Sequence, residues 1–330
     1  MRNRRTQHLG LALFALALAL TGCSGRRDRG GAEQPATGAG ASSSQPAQGG
    51  TLTIKGSDTM VILAQRWAER FMAANPGTTV QVSGGGSGTG IAALLNGTTD
   101  LADASRPMKD RERTALQEQR HVAATEFKVA LDALAVYVHE SNPVQSLTIA
   151  QLKGIFRGTI TNWKDVGGPD RPIVLYSREN NSGTYAYFKE HVLDDEDFAA
   201  TAQTLPGTAA VINAIGRDET GIGYGGIAYG RGVRAIKVAP EGQDPVEPTM
   251  ENAISGRYPL ARFLYVYAAG EPSAVARRYL DFVRSPEGQS VVEGVGFYPL
   301  PREGAAQPAA APAAPAAPAA PAPAAAPTGM

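Results

Sequence analysis

The chain has 330 residues, 43% of them apolar, with 31 basic against 31 acidic side chains and one cysteine. That length allows two domains, the zero net charge argues against a protein built to coat nucleic acid, and a lone cysteine excludes both an internal disulfide framework and an all-cysteine metal site. The balance is uneven: residues 1–29 hold six arginines and one acid, so the rest carries 25 basic and 30 acidic side chains, a net −5. An anion site on such a body must rely on local dipoles rather than bulk charge.

Arg2, Arg4 and Arg5 precede an apolar run over 9–20 that is too short to span a bilayer comfortably, the pattern of an export signal over 1–22. Leu20-Thr21-Gly22-Cys23 then fits a lipobox, so Cys23 is expected to be acylated (palmitate) and to begin the mature chain. Acylation also accounts for a single cysteine in an exported protein, where a free thiol is a liability. Residues 23–50, rich in Gly, Ser, Ala and Pro, are predicted to be a flexible linker behind that anchor.

In the body, the runs 51–54 and 79–82 read as strands and 60–74 and 91–95 as helices. Met60, Leu63, Ala64, Trp67 and Phe71 recur at the spacing of one buried helix face. This β-α-β-α order predicts an α/β fold. Further strands are predicted at 133–138, 173–176, 221–224, 235–238 and 263–268, with a last helix over 274–284. Residues 303–330 contain 7 prolines and 15 alanines, so an extended or disordered tail is expected.

Three helix starts share one chemistry: Gly56-Ser57-Asp58-Thr59, Gly84-Gly85-Gly86-Ser87-Gly88-Thr89-Gly90, and Ser177-Arg178-Glu179-Asn180-Asn181-Ser182-Gly183-Thr184. Glycine permits close approach to the backbone, the first-turn N–H groups of a helix are free, and its dipole favours negative charge there. Ser and Thr are also ordinary helix caps, so the repetition carries the inference rather than any single loop. Arg178 adds a guanidinium able to pair bidentately with an oxyanion.

Other chemistries find no support in the residues. No GxxxxGK[ST] loop occurs, and the GxGxxG match at Gly221-Ile222-Gly223-Tyr224-Gly225-Gly226 is not followed by a convincing helix, so it reads as strand and turn. His121, His139 and His191 form no metal-ligand spacing, GxSxG is absent, and Asp194-Asp195 lie in a solvated acidic run. The sequence therefore proposes no catalytic residue, no metal and no cofactor.

Taken in order, Lys55-Gly56-Ser57-Asp58-Thr59, the GGGSGTG loop, Asp100-Leu101-Ala102-Asp103-Ala104-Ser105-Arg106-Pro107, the GTITNWKDVGGP run over 158–169, the Arg178 loop and Ser285-Pro286-Glu287-Gly288-Gln289 resemble the PstS-type phosphate-binding lipoproteins, the substrate-binding components of phosphate ABC transporters. The resemblance spans nearly all of 51–302. It implies a two-lobed periplasmic-binding-protein fold (type II-like), with lobe one at 51–130 plus 262–302, lobe two at 131–261, and the ligand in the cleft between them. It implies inorganic phosphate and ABC permease subunits as partners, a lipid anchor in the cell membrane on its extracytoplasmic side, a monomer, and no nucleic acid. Phosphate sensing or surface adhesion on the same fold, or capture of another tetrahedral oxyanion, is the alternative reading.

By the same resemblance the phosphate contacts fall on Ser57, Thr59 and Met60 in the first loop, Ser87 and Gly88 in the second, and Arg178, Ser182, Gly183 and Thr184 in the third. Ser105 stands where several relatives carry an aspartate that accepts the phosphate proton, and its hydroxyl can accept as well; Arg106 follows it, either as a second ligand cation or as a surface residue. Asp58 or Asp103 can take that acceptor role. Asn180 matches a family aspartate that braces the arginine.

Overall fold

The structure, a computed structural model, describes residues 49–301. The export signal, Cys23, most of the linker and the tail lie outside the described residues. The elements are, in order, β1 (Gly50–Gly56), α1 (Val61–Ala74), β2 (Thr78–Ser83), α2 (Ser87–Leu95), β3 (Leu101–Ala104), α3 (Asp110–Arg120) and the long β4 (Ala124–Val138). Then come β5 (Ser146–Thr148), α4 (Ile149–Arg157), β6 (Val174–Arg178), α5 (Gly183–Val192), β7 (Gln203–Leu205), α6 (Gly207–Ile215), β8 (Gly221–Gly226) and β9 (Arg234–Ala239). The chain closes with α7 (Met250–Ile254), β10 (Ala261–Ala269), α8 (Ala274–Arg284) and α9 (Pro286–Val295).

The strands run in the order β2-β1-β3-β10-β4-β8-β6-β7, with β9 on β4 and β5 on β9. Pairing is parallel within β2-β1-β3 and within β8-β6-β7, whereas β10 and β4 are antiparallel to each other and to their outer neighbours. Two α/β halves are thus joined through two crossing strands. One apolar core gathers Leu52, Ile54, Trp67, Phe71, Leu264 and Tyr279, and the other gathers Leu134, Leu152, Phe156, Trp163, Phe188 and Tyr224. Each holds one tryptophan whose indole N–H is satisfied by a carbonyl, Trp67 by Gly288 at 2.7 Å and Trp163 by Thr220 at 2.9 Å.

Several elements extend beyond the sequence expectation for physical reasons. β4 starts at Ala124, not 133: its first residues alternate in exposure and its last ten are all buried, as expected of a strand that begins on a solvated sheet and ends between two layers. Glu126, Lys128 and Asp132 hide that strand from a hydrophobicity reading. α2 begins at Ser87, four residues before the apolar run at Ile91, because its first turn is built from small residues. α9 follows the expected last helix, capped by the Ser285 hydroxyl with Pro286 in its first turn. The GIGYGG segment is β8, fully buried, and leads into a short 3-10 turn.

Candidate anion-binding site

The first three loops of interest leave the carboxyl ends of β1, β2 and β6, where open α/β sheets bind ligands. After β1 the chain turns sharply: the Ser57 N–H donates to the Asp103 carbonyl at 2.9 Å, and the Met60 N–H donates back to the Ser57 carbonyl at 3.0 Å. That turn sets Thr59 at the head of α1, where its Oγ1 lies 2.8 Å from Thr184 Oγ1 and 3.5 Å from Thr208 Oγ1. In the second loop, Gly86 has φ 90°, and a Cβ there would lie 2.7 Å from the Asn181 carbonyl oxygen. Only glycine allows that backbone shape and that approach together.

Ser87, the first residue of α2, accepts the Ser105 N–H at 3.0 Å, and its Oγ lies 3.4 Å from Ser105 Oγ. Ser105 Oγ in turn lies 3.4 Å from Thr184 Oγ1. Ser182 caps α5 by accepting the Tyr185 N–H at 3.3 Å. Gly183 packs directly on the serines, since a Cβ would fall 2.2 Å from Ser87 Oγ and 2.7 Å from Ser105 Oγ. Thr59, Ser87, Ser105, Thr184 and Thr208 therefore form one buried chain of hydroxyls. Ser87, Thr184 and Thr208 occupy the first or second positions of α2, α5 and α6, so three positive helix ends meet at the cluster.

Arg178, at the end of β6 and 1% exposed, closes this cluster. Its Nη1 donates to Thr208 Oγ1 at 2.8 Å, its Nη2 to Asp58 Oδ2 at 2.9 Å, and its Nε to Glu179 Oε2 at 3.4 Å. Asp58 Oδ1 accepts the Gly85 N–H at 2.8 Å. Tyr229 donates to the carbonyls of Asp58 and Thr59 at 2.8 and 3.2 Å, and burial holds its phenol above the ordinary tyrosine range, so it stays a donor. Burial alone pushes the Asp103 carboxyl up to about 7. A second guanidinium, Arg262 of β10, donates to Thr184 Oγ1 at 3.0 Å while paired with Asp132 of β4.

The structure thus brings Thr59, Ser87, Ser105, Arg178 and Thr184 together, with Ser182 and Gly183 against them. Other candidates are engaged elsewhere. The Met60 N–H is held in the Ser57 turn, and the Gly88 N–H donates to the Asn181 carbonyl at 2.9 Å. Arg106 turns its guanidinium onto Glu112, with bonds of 2.8 and 2.7 Å, and onto the Pro107 carbonyl at 2.8 Å. Both Asp58 oxygens are occupied, and Asp58, with Glu179 more distant, braces Arg178, while Asn180 is exposed.

Sequence reasoning passed over Thr208, Arg262 and the clasp made by Asn181, whose amide donates to the Gly85 carbonyl at 3.0 Å and to Thr89 Oγ1 at 3.1 Å. Thr208 was findable, since Gly207-Thr208 opens α6 with the same chemistry as the other loops. Among the described residues, no group of three or more His, Cys, Asp or Glu side chains is placed to hold a metal ion. No helix among them is long and apolar enough to cross a membrane. Chemically, the cluster offers hydroxyl protons, helix ends and a guanidinium to a compact oxyanion.

Two α/β halves with a polar cluster at their junction define a solute-binding architecture, and the PBP superfamily domain matches residues 41–287. The chain is 38% identical over 270 residues to phosphate-binding protein PstS of Pseudomonas aeruginosa, covering 76% of this chain and 84% of that protein. It is 30% identical to PstS of Bacillus subtilis, covering 91% and 95%. Among solved structures, a phosphate ABC transporter substrate-binding protein crystallised with bound phosphate, from Clostridium perfringens, superposes with TM-score 0.70 at 31% identity, covering 76% of this chain and all of that one. An ABC-type phosphate transport receptor from Vibrio cholerae gives TM-score 0.63 at 29% identity, with coverage of 76% and 100%. The chain belongs to the PstS family of phosphate-binding proteins.

Proposed function

We propose that this protein binds inorganic phosphate outside the cytoplasmic membrane and delivers it to an ABC-type importer, acting as a binding protein and not as an enzyme. The observation that carries this reading is the convergence of five buried hydroxyls, three helix N-termini and Arg178 from loops far apart in sequence. The relatives that the chain resembles are phosphate-binding components of such transporters. In the proposed mechanism the two cores act as lobes, 51–130 with 262–302 and 131–261, hinged on β4 and β10. The site closes on a desolvated anion held by Thr59, Ser87, Ser105, Arg178, Ser182, Gly183 and Thr184. A monomer anchored through acylated Cys23 completes the reading.

Selectivity follows from protons. Phosphate near neutral pH carries one or two, sulfate carries none, and a buried acceptor left facing an unprotonated oxygen costs about 1–3 kcal/mol. Ser105 is the acceptor we assign: with its own proton given to Ser87 Oγ or Thr184 Oγ1, each 3.4 Å away, it turns only lone pairs to the guest, and the Asp58 carboxylate is already engaged. Isothermal titration of the chain without its export signal tests the proposal. Phosphate is expected to bind at micromolar or lower concentration and sulfate much more weakly; no phosphate binding, or equal affinity for both, overturns it.

A further inference from the structure

We infer that Arg262, seated on Asp132 in the crossing strands, is a positioning residue for the bound anion, acting through the Thr184 hydroxyl. The inference rests on the phosphate-binding reading above and adds a residue outside the three loops. Arg262 and Asp132 face each other in register on β10 and β4. Arg262 Nε and Nη2 both donate to Asp132 Oδ2, at 3.0 and 2.8 Å, while Asp132 Oδ1 accepts the Ile227 N–H at 3.0 Å. The guanidinium carbon lies 5.3 Å from the centre of the Tyr187 ring. Side-chain exposure is 1% for Arg262 and 0% for Asp132, so a fixed cation stands behind the site.

Its effect on Thr184 follows from hydrogen-bond direction. A guanidinium only donates, so in the 3.0 Å contact Thr184 Oγ1 accepts. The single Thr184 proton must therefore point away from Arg262, towards Thr59, Ser105 or a guest between them. Two other hydroxyls are polarised in the same way: Thr208 accepts from Arg178 Nη1 at 2.8 Å, and Ser87 accepts the Ser105 N–H at 3.0 Å. Thr59 and Ser105 show no such donor-only partner on their hydroxyls. The cluster is thus sorted into three groups that present protons and two that remain free to accept. Thr184 alone is polarised from the crossing strands.

A second observation gives the pair a reason to stand there. Arg262 Nη1 is buried with no hydrogen-bond partner among the described residues. Arg106 Nε, in the pair with Glu112, is likewise buried without a partner, so a spare donor alone does not mark a site; the Arg262 guanidinium differs in also touching a hydroxyl of the cluster, and there a spare donor favours a negatively charged guest.

The test is a double-mutant cycle on phosphate affinity in the full chain, with thermal unfolding followed alongside. Thr184→Val is one arm. The other removes both charges together, Arg262→Met with Asp132→Leu, so that neither is left buried alone. Each arm is expected to weaken phosphate binding about 10- to 100-fold, and their combination is expected to be no more than about 3-fold worse than the weaker arm, because both remove the same polarised donor. Losses that multiply, or a charge-free pair that binds phosphate like wild type, overturn the inference while leaving phosphate binding intact. Absence of binding in the wild-type chain overturns the function itself, and the inference with it. Should the charge-free pair fail to fold, Arg262→Lys keeps Asp132 paired. The coupling with Thr184→Val is then expected to be about 3-fold, and strict additivity overturns the inference.

Discussion

Arg106, two residues past the end of β3, and Arg178, the last residue of β6, are both buried and both sit on a carboxylate, yet they belong to different parts of the protein's chemistry. The carboxylate of Arg106 is Glu112, six residues on, in the first turn of α3. Glu112 also accepts the Lys109 N–H at 2.8 Å, so the pair fastens a helix to the loop before it. Arg178 reaches its neighbour Glu179 only loosely, at 3.4 Å through Nε; its close carboxylate is Asp58, 120 residues away, at 2.9 Å, and its other amino group holds Thr208. A local partner makes a buried arginine a fastener. Partners drawn from separate elements make it part of a site whose geometry exists only when those elements meet.

Substitutions can break that contrast. Arg178→Ala has the largest expected effect, a loss of at least about 100-fold in phosphate affinity, equivalent to roughly 3 kcal/mol, measured by titration calorimetry. Arg106→Ala is expected to leave affinity within about 3-fold of wild type while lowering stability by about 3 kcal/mol, since Glu112 loses its partner in a part-buried place. Denaturant unfolding reads the second number, and a severe loss of affinity there would return Arg106 to the ligand. Thr208→Val should weaken phosphate about 10-fold, because Arg178 loses an acceptor and the site loses a hydroxyl proton. Unchanged affinity would place Thr208 outside the site.

The smallest effect concerns pH. Burial alone would raise the Glu112 carboxyl, but the hydrogen bond and charge of Arg106 outweigh it and hold Glu112 below the usual carboxylate value. A depressed folded-state pKa contributes stability that is fully present above the unfolded value and is lost as pH falls through the folded one. Glu112→Gln should therefore lie below wild type in melting temperature near pH 6, with the gap narrowing towards about pH 3. A constant gap would mean that the charge on Glu112 is not what holds α3.

Periodicity made α1 legible: the buried face Leu63, Ala64, Trp67 and Phe71 is the one its spacing predicts. The Gly/Ser/Thr loops were visible for a similar reason, since helix starts have local chemistry. Arg262 was not, because it lies inside a strand between Leu260 and Phe263, and what makes it notable is a partner 130 residues away. Arg106 failed in the opposite sense. Its neighbour Ser105 marks a ligand loop, and nothing in Ser-Arg-Pro tells which way the guanidinium turns until Glu112 is seen to accept it. The sequence offers Asp58 as an acceptor, and only the fold shows its two oxygens taken by the Gly85 N–H and by Arg178.

The Asn181 clasp contains no ligand atom. Its three bonds, the Gly88 N–H to its carbonyl and its own amide to Gly85 and Thr89, favour the assembled arrangement whether or not an anion is present. In a two-state equilibrium the apparent dissociation constant is the intrinsic one divided by the fraction of molecules already competent. Under the closure proposed above, the clasp raises that fraction and so tightens binding without touching the anion. On the proposed two-lobe mechanism these bonds break before the anion leaves, which ties residence time to a pair of loops as much as to the arginine beneath them.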